Sequence, residues 1–218
     1  MQTTYENFYF KNKNSYLETL LEFEKEKCNT IIKTESISLL TMPEKVSSEI
    51  LSRIGIKNSS LSDYQEQQRI QIFKNHLGYN NLFYEIIPIF DLDTINNGKI
   101  KVSFSDMMNN STVYYTKEEY IQHLEHITYL LEIYENFHIK LVSGMSESNY
   151  LIYAKEDLGV ITAKTSIPPV VLAVNETNLT AAFWDFLKHT LGEKAFQYPN
   201  NAEESKELKK YIQKVKTL

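Results

Sequence analysis

Tyr150-Leu-Ile-Tyr-Ala-Lys-Glu-Asp-Leu-Gly-Val-Ile-Thr-Ala-Lys-Thr-Ser-Ile-Pro-Pro-Val-Val-Leu-Ala-Val-Asn175 decides the fold. Two alternating runs, Tyr150–Glu156 and Leu158–Ser166, read as strands with one face on a core. Asp157-Leu-Gly159 between them turns a hairpin, since Asp and Gly tolerate the positive φ it needs. Pro168–Asn175 follows as a third run. His138–Val142 precedes them as another strand, separated by the Ser- and Gly-containing loop Ser143–Asn149. Asn175 is then expected to cap a long helix whose apolar face is Leu179, Ala182, Phe183, Phe186, Leu187 and Leu191, ended by Gly192.

Further upstream, Thr116 and Glu119 form a capping box. The helix it opens carries Tyr120, Leu124, Ile127, Leu131 and Tyr134 as one apolar stripe. Lys99–Phe104 is expected as a short strand after the Asn96-Asn-Gly98 turn. Asn81–Phe90 reads as a strand broken by Pro88, which suggests a sheet edge or a bend. Helices are expected over Ser15–Cys28, over Glu44–Ile54, and from a cap at Ser62 or Asp63 to Leu77. Thr34–Thr41 reads as a strand ended by Pro43. Ala202–Leu218 is a Lys/Glu helix with Leu208, Tyr211, Ile212 and Val215 on one side.

Strands and helices alternate, so the expectation is a single α/β domain: a mixed β-sheet flanked by amphipathic helices. Residues 1–14 read as a flexible arm or linker, 15–192 as the domain and 193–218 as a docking helix. Two lobes with a seam near 105–116 are the alternative division.

The chain has 218 residues, 42% of them apolar, with 15 Tyr and 11 Phe, enough for a sizeable core. A net charge of −5 argues against a nucleic-acid coat. The only arginines are Arg53 and Arg69, and bidentate reading of phosphate or guanine leans on arginine. The single cysteine, Cys28, has no internal disulfide partner and is read as structural or merely exposed. With no signal peptide and no apolar run of spanning length, a cytoplasmic protein is expected.

Several constellations invite a chemical reading. Glu119, His123 and His126 share one helix face at metal-ligand spacing, yet no second motif completes a site, so boundary histidines and no metal are expected. His138-Ile-Lys140 resembles the first half of a phospholipase-D-type His-x-Lys-x4-Asp motif. Met145 stands where the Asp belongs and no second copy exists, so that activity is not expected. Asp91-Leu-Asp93 reads as turn decoration, and Lys155, Glu156 and Asp157 as a solvated hairpin tip. The six glycines form no phosphate loop, and no nucleophile elbow or kinase set is present. Neither a catalytic residue nor a cofactor is expected.

Tyr134-Glu-Asn-Phe-His-Ile-Lys-Leu-Val142, Ala154–Asn175 and Ala182-Phe-Trp-Asp-Phe-Leu187 together resemble the C-terminal half of bacterial helix-turn-helix regulators. Glu35-Ser-Ile-Ser-Leu-Leu-Thr-Met-Pro43 and Tyr64-Gln-Glu-Gln-Gln-Arg-Ile-Gln71 are similar to a domain that follows Xre-type helix-turn-helix modules. The Pro-Gly of that family's first element is missing, and only Arg69 remains of its arginine pattern. The resemblance covers most of residues 20–190 and implies a sensor or interaction domain, often dimeric, behind a DNA reader. No DNA-reading segment is visible here. The expected function is therefore ligand sensing or dimerisation for an attached or partner DNA-binding unit, with a small molecule or peptide as effector and a homodimer as assembly. Neither membrane nor direct DNA contact is expected. An interaction module without a ligand is the alternative, and a degenerate phosphodiesterase-like or metal-dependent enzyme is a third reading. Polar-ended aromatics and a lysine in an apolar strand mark Tyr114, Tyr115, Lys164 and Trp184 as the expected effector lining. The pocket is expected between the strands of 150–174 and the helices of 116–137 and 176–190.

Overall fold

The alternating runs build one side of a seven-stranded mixed sheet in a computed structural model whose described residues are 8–9, 13–53, 61–103, 112–143, 150–164 and 170–217. The strands are β1 (Phe8–Tyr9), β2 (Thr30–Lys33), β3 (Phe83–Ile89), β4 (Phe137–Ser143), β5 (Tyr150–Lys155), β6 (Gly159–Lys164) and β7 (Val170–Val174). Their spatial order is β1-β7-β6-β5-β2-β3-β4. β2, β3 and β4 are parallel; β5, β6, β7 and β1 continue the sheet antiparallel from the other side of β2. The helices are α1 (Lys13–Lys25), α2 (Glu44–Arg53), α3 (Leu61–Leu77), α4 (Leu92–Asn96), α5 (Lys117–Ile133), α6 (Thr177–Leu191), α7 (Glu193–Gln197) and α8 (Asn201–Lys216). This is one α/β domain with helices on both faces of its sheet.

Period-two alternation sorts the strand residues into two cores. Ile32, Phe83, Ile87, Phe137, Tyr153 and Ile161 face the larger one, which α1, α2, α3, α5 and α8 cover. Ile31, Tyr84, Ile86, Ile152, Ala154 and Val160 face the smaller one, under Trp184, Leu187 and Leu191 of α6. α8 joins the larger core through Leu208, Tyr211, Ile212 and Val215, so 193–218 is built into the same domain.

The caps explain the helix ends. The Thr116 hydroxyl accepts from the Glu119 N–H while the Glu119 carboxylate accepts from the Thr116 N–H. α6 is capped by Glu176 and not by Asn175. Its carboxylate accepts from Asn178 and Leu179 N–H at 3.1 and 2.8 Å, and so meets two donors of the first turn that no carbonyl reaches. Gly192 closes α6 at φ +87°, a conformation that disfavours a Cβ.

Several sequence expectations are corrected. Phe8–Tyr9, placed in an arm, pair with Ala173 and Leu172 as an edge strand. α3 already includes Ser62 and Asp63, so its cap lies outside the described residues. In place of a strand over Thr34–Thr41, the strand ends at Lys33, and a 3-10 turn (Leu39–Thr41) follows. Ser and Thr side chains there bond to nearby backbone, which competes with a ladder. Pro88 lies inside β3, an internal strand. The Phe83 N–H points to Asn136 on the β4 side, so even-numbered β3 residues point to β2. The β2 ladder stops at Lys33↔Ile86, so the N–H that Pro88 lacks has no ladder partner to serve. Of Lys99–Phe104, Phe104 lies outside the described residues, and 99–103 yield a bridge, Lys101↔Tyr114, between the hairpin arms 99–103 and 112–115 off the sheet. Most of the supposed 105–116 seam lies outside the described residues.

Candidate functional site

The densest polar cluster lies where the parallel strands end. Residues 30–42 are all buried, including Thr34, Glu35, Ser36, Ser38 and Thr41. A buried irregular segment must satisfy its polar groups locally. Ser38 does this by capping the 3-10 turn, accepting from the Leu40 N–H at 3.2 Å. Ser36 donates to the Lys101 carbonyl at 2.6 Å and lies 3.0 Å from the Ser103 hydroxyl, which stitches the segment to the first hairpin arm, 99–103.

Glu85 stands beneath this segment, mid-strand in β3 and fully buried. Its Oε1 accepts from the Ser38 N–H at 2.6 Å and its Oε2 from the Thr41 hydroxyl at 3.1 Å. Thr41 Oγ1 is also 3.2 Å from His123 Nε2, and His123 Nδ1 is 3.0 Å from the Tyr115 hydroxyl. The result is a continuous chain, Ser38–Glu85–Thr41–His123–Tyr115, joining β3, the turn, α5 and the hairpin. Burial pushes the Glu85 carboxyl up to about 7, against the opposing pull of its two donors. Burial drives His123 down to about 3, so its imidazole is neutral. Tyr115 is raised well above its ordinary value, first by burial and then by the Glu85 and Glu119 charges.

Around the chain, the sequence-predicted groups serve the fold. Glu119 Oε2 accepts from Arg53 at 2.8 Å as well as from its cap partner, and the Arg53 guanidinium also donates to the Tyr114 carbonyl at 2.7 Å. His126 stacks on Tyr129 with ring centres 5.7 Å apart. Glu119, His123 and His126 therefore do not converge. No cluster of three or more His, Cys, Asp or Glu side chains suited to a metal exists among the described residues. Asp91 caps α4 by accepting from the Thr94 N–H at 2.7 Å.

The four predicted lining residues do not meet. Tyr115 points into the larger core and Trp184 into the smaller one, with the sheet between them. α5 and α6 lie on opposite faces for the same reason, so the expected pocket between them does not form. Tyr114 is exposed, and Lys164 is exposed at the end of β6. A lysine in an alternating strand marked the wrong position because a strand end lets its ammonium reach water. The better signal was Glu85 in Phe83-Tyr-Glu-Ile-Ile87, an acid in a continuous apolar run. Ser38 and Thr41 carried no comparable mark.

Lys155, expected at a solvated tip, is fully buried. Its ammonium donates to the carbonyls of Glu24 and Glu26 at the end of α1, favourable against the helix dipole. Burial lowers its pKa to about 8. Cys28 is half-buried beside it, its thiol raised chiefly by burial. His138 lies against Tyr84 with ring centres 4.9 Å apart and the rings tilted by 36°, its Nδ1 3.6 Å from Glu204. Thr180 Oγ1 and Trp184 Nε1, one turn apart on α6, are buried without a hydrogen-bond partner. A cleft between α1 and the β6–β7 pair, lined by Phe23, Gly159 and Ala173, has about 10 Å³ of room, at most a water's worth.

Among the described residues no helix is long and apolar enough to cross a membrane. No family model matches the sequence, and no curated protein or solved structure compared with the chain is a match.

Proposed function

We propose that this chain is a regulatory domain that pairs with a second copy of itself and answers a small-molecule or peptide effector, acting on an attached or partner DNA-binding unit. The half-covered sheet face carries this reading. Seven strands about 4.8 Å apart span roughly 29 Å, whereas one helix is about 10 Å wide. Among the described residues, α6 and the short α7 are the cover of the α6 face. α6 packs on β5 and β6, and β7 beside them turns Val170 and Leu172 to the same face, with Leu172 45% exposed. α6 itself leaves Leu179 and Phe186 each 51% exposed. Apolar surface of this kind is characteristic of interaction sites. The polar groups of the buried chain bond to one another and not toward a cleft, and in this reading the domain has no catalysis of its own. The DNA-binding partner enters from the sequence resemblance to Xre-type regulators.

Sedimentation velocity tests the pairing. The expected result is a dimer that Phe186→Glu with Leu172→Glu converts to a folded monomer. A wild-type chain that stays monomeric up to high micromolar concentration removes the pairing. Native mass spectrometry of protein purified gently from its host tests the effector, with a reproducible extra mass expected.

The exposed apolar side chains of Leu172, Leu179 and Phe186 also suit a second reading, a protein-interaction module whose ligand is a peptide or protein lying on the surface. A bare chain in the mass spectrum, with a protein captured only by the unsubstituted α6 face, would select it.

A further inference from the structure

We infer that Glu85 is a buried proton-binding site whose state is read by the Thr41 hydroxyl, which turns between the Glu85 carboxylate and the Ser38 carbonyl and so gives the 38–42 turn two hydrogen-bond states. The inference is independent of the pairing surface. It follows from counting hydrogens along the chain of contacts.

Tyr115 fixes one end. Among the described residues its hydroxyl has a single partner, His123 Nδ1 at 3.0 Å, and it is buried. Were Nδ1 to carry the proton, the phenol hydrogen would be left unpaired in the core, which is costly. The phenol therefore donates, Nδ1 accepts, and the single imidazole proton sits on Nε2. Nε2–H then donates to Thr41 Oγ1 at 3.2 Å.

Thr41 has one hydrogen and two acceptors within reach, Glu85 Oε2 at 3.1 Å and the Ser38 carbonyl at 3.0 Å. With Glu85 ionised, the carboxylate accepts from both Ser38 N–H and Thr41 O–H. When Glu85 takes a proton from solvent, Oε2–H becomes a donor to Thr41 Oγ1. The Thr41 hydrogen must then leave the carboxyl, and the Ser38 carbonyl receives it. Oγ1 now accepts from Glu85 and His123 and donates once, which fills its capacity. Every group is satisfied in both states, and His123 keeps one tautomer throughout.

Among the described residues, the titratable groups in contact with this chain of bonds are His123 from α5 and Tyr115 from the hairpin, and Glu35 is buried in the same 30–42 segment. Glu119 acts on Tyr115 and is paired with Arg53; His126 acts on His123. The influences on Glu85 itself are burial and its two donors. The turn is tied through Ser36 to Lys101 and Ser103, so its state is shared with the hairpin. The site also lies by the carboxyl ends of parallel strands, the edge at which open α/β sheets bind ligands.

The test is an NMR titration of the full chain from pH 5.5 to 8.5. The Glu85 carboxyl carbon is expected to titrate with a midpoint near 7, about 2.5 units above its ordinary 4.5. The Ser38 and Thr41 amides should follow with the same midpoint, and His123 should show the Nε2–H tautomer at every pH. Glu85→Gln places an amide donor on Thr41 and should abolish those amide shifts. The His123 Nε2–H resonance, bonded to Thr41, should shift with the same midpoint without a change of tautomer. Thr41→Val should leave Glu85 titrating while that shift disappears, and Thr41→Ser should restore it. Titration of Glu85 in the ordinary carboxylate range overturns the inference, as does persistence of the Ser38 and Thr41 shifts in Glu85→Gln. If Glu85→Gln does not fold, the wild-type midpoint and the Thr41 pair still decide.

Discussion

The guanidinium of Arg69 on α3 grips the carboxylate of Glu24 on α1 through two bonds of 2.8 Å, with both side chains buried. The chain's other arginine, Arg53, likewise joins α2 to α5 through Glu119. Arginine suits such work because its planar fork matches a carboxylate and holds its charge when desolvated. Breaking a buried pair from one side strands a charge, whereas removing both charges does not. Arg69→Met should therefore cost about 3–5 kcal/mol. Arg69→Met with Glu24→Leu should recover most of that loss, and urea denaturation of the cycle measures it. Additive losses would mean that the two side chains act independently.

Glu85 and His123 make opposite demands on pH. The Glu85 contribution to stability is full below its unfolded value of 4.5 and is lost as pH rises to about 7. The His123 contribution is full above 6.5 and is lost as pH falls toward about 3. Over pH 4.5–6.5 the two slopes oppose each other, each about 1.4 kcal/mol per unit. Glu85→Gln removes one limb only, so the variant should gain stability with rising pH across this window. The wild-type advantage should fall by roughly 3 kcal/mol between pH 4.5 and 7. His76, also held down, to about 4, titrates in both proteins and cancels from the difference. Urea midpoints at four pH values give the result, and a constant difference would contradict it.

These two groups also mark how far sequence carries. The β5–β6 hairpin, the capping box at Thr116 and the stripe on α5 were legible because each is a local pattern with one structural solution. Glu85 was locally visible as an acid among apolar residues, but its partners Ser38 and Thr41 lie 47 and 44 positions away in the chain, and His123, which bonds to Thr41, lies 38 away. No spacing rule joins residues that only a sheet crossover brings together. The effector lining failed similarly: Tyr115 and Trp184 look alike in sequence, and which face of the sheet each meets is set by tertiary packing. Strand Thr30–Lys33 was displaced because β-branched content continues to Thr41, where side-chain bonds to backbone replace the ladder.

Lys155 titrates into a buried position, and the sign is the reverse of that for Glu85. Its folded value, about 8, lies below the ordinary 10.5. Its contribution is full above 10.5 and is lost as pH falls toward 8. Stability should therefore rise over pH 8–10.5 relative to Lys155→Met, by up to about 3 kcal/mol at roughly 1.4 kcal/mol per unit. Tyrosines titrating in the same range are common to both proteins. A difference that stays level across the window would place the ammonium in water and not on the α1 carbonyls.

Glu119 serves two partners with one carboxylate oxygen, and its two roles are separable. It accepts from the Thr116 N–H and from Arg53, while its own N–H is held by the Thr116 hydroxyl. Thr116→Ala removes only the hydroxyl half of the cap and should cost about 1 kcal/mol. Arg53→Ala removes a partner that is 39% exposed, so the ion pair itself contributes less than a buried one. It also frees the Tyr114 carbonyl, which loosens the hairpin strand that carries Tyr115. Glu119→Ala removes both roles and should exceed either single loss. Because Arg53 donates to Glu119 Oε2, each variant removes the same ion pair, and Arg53→Ala and Glu119→Ala should be sub-additive. Amide exchange would separate the effects: Thr116→Ala should speed exchange in the first turn of α5, and Arg53→Ala at Tyr115, whose N–H is bonded to the Ile100 carbonyl. Equal acceleration at both places in either variant would show that the cap and the hairpin open as one unit.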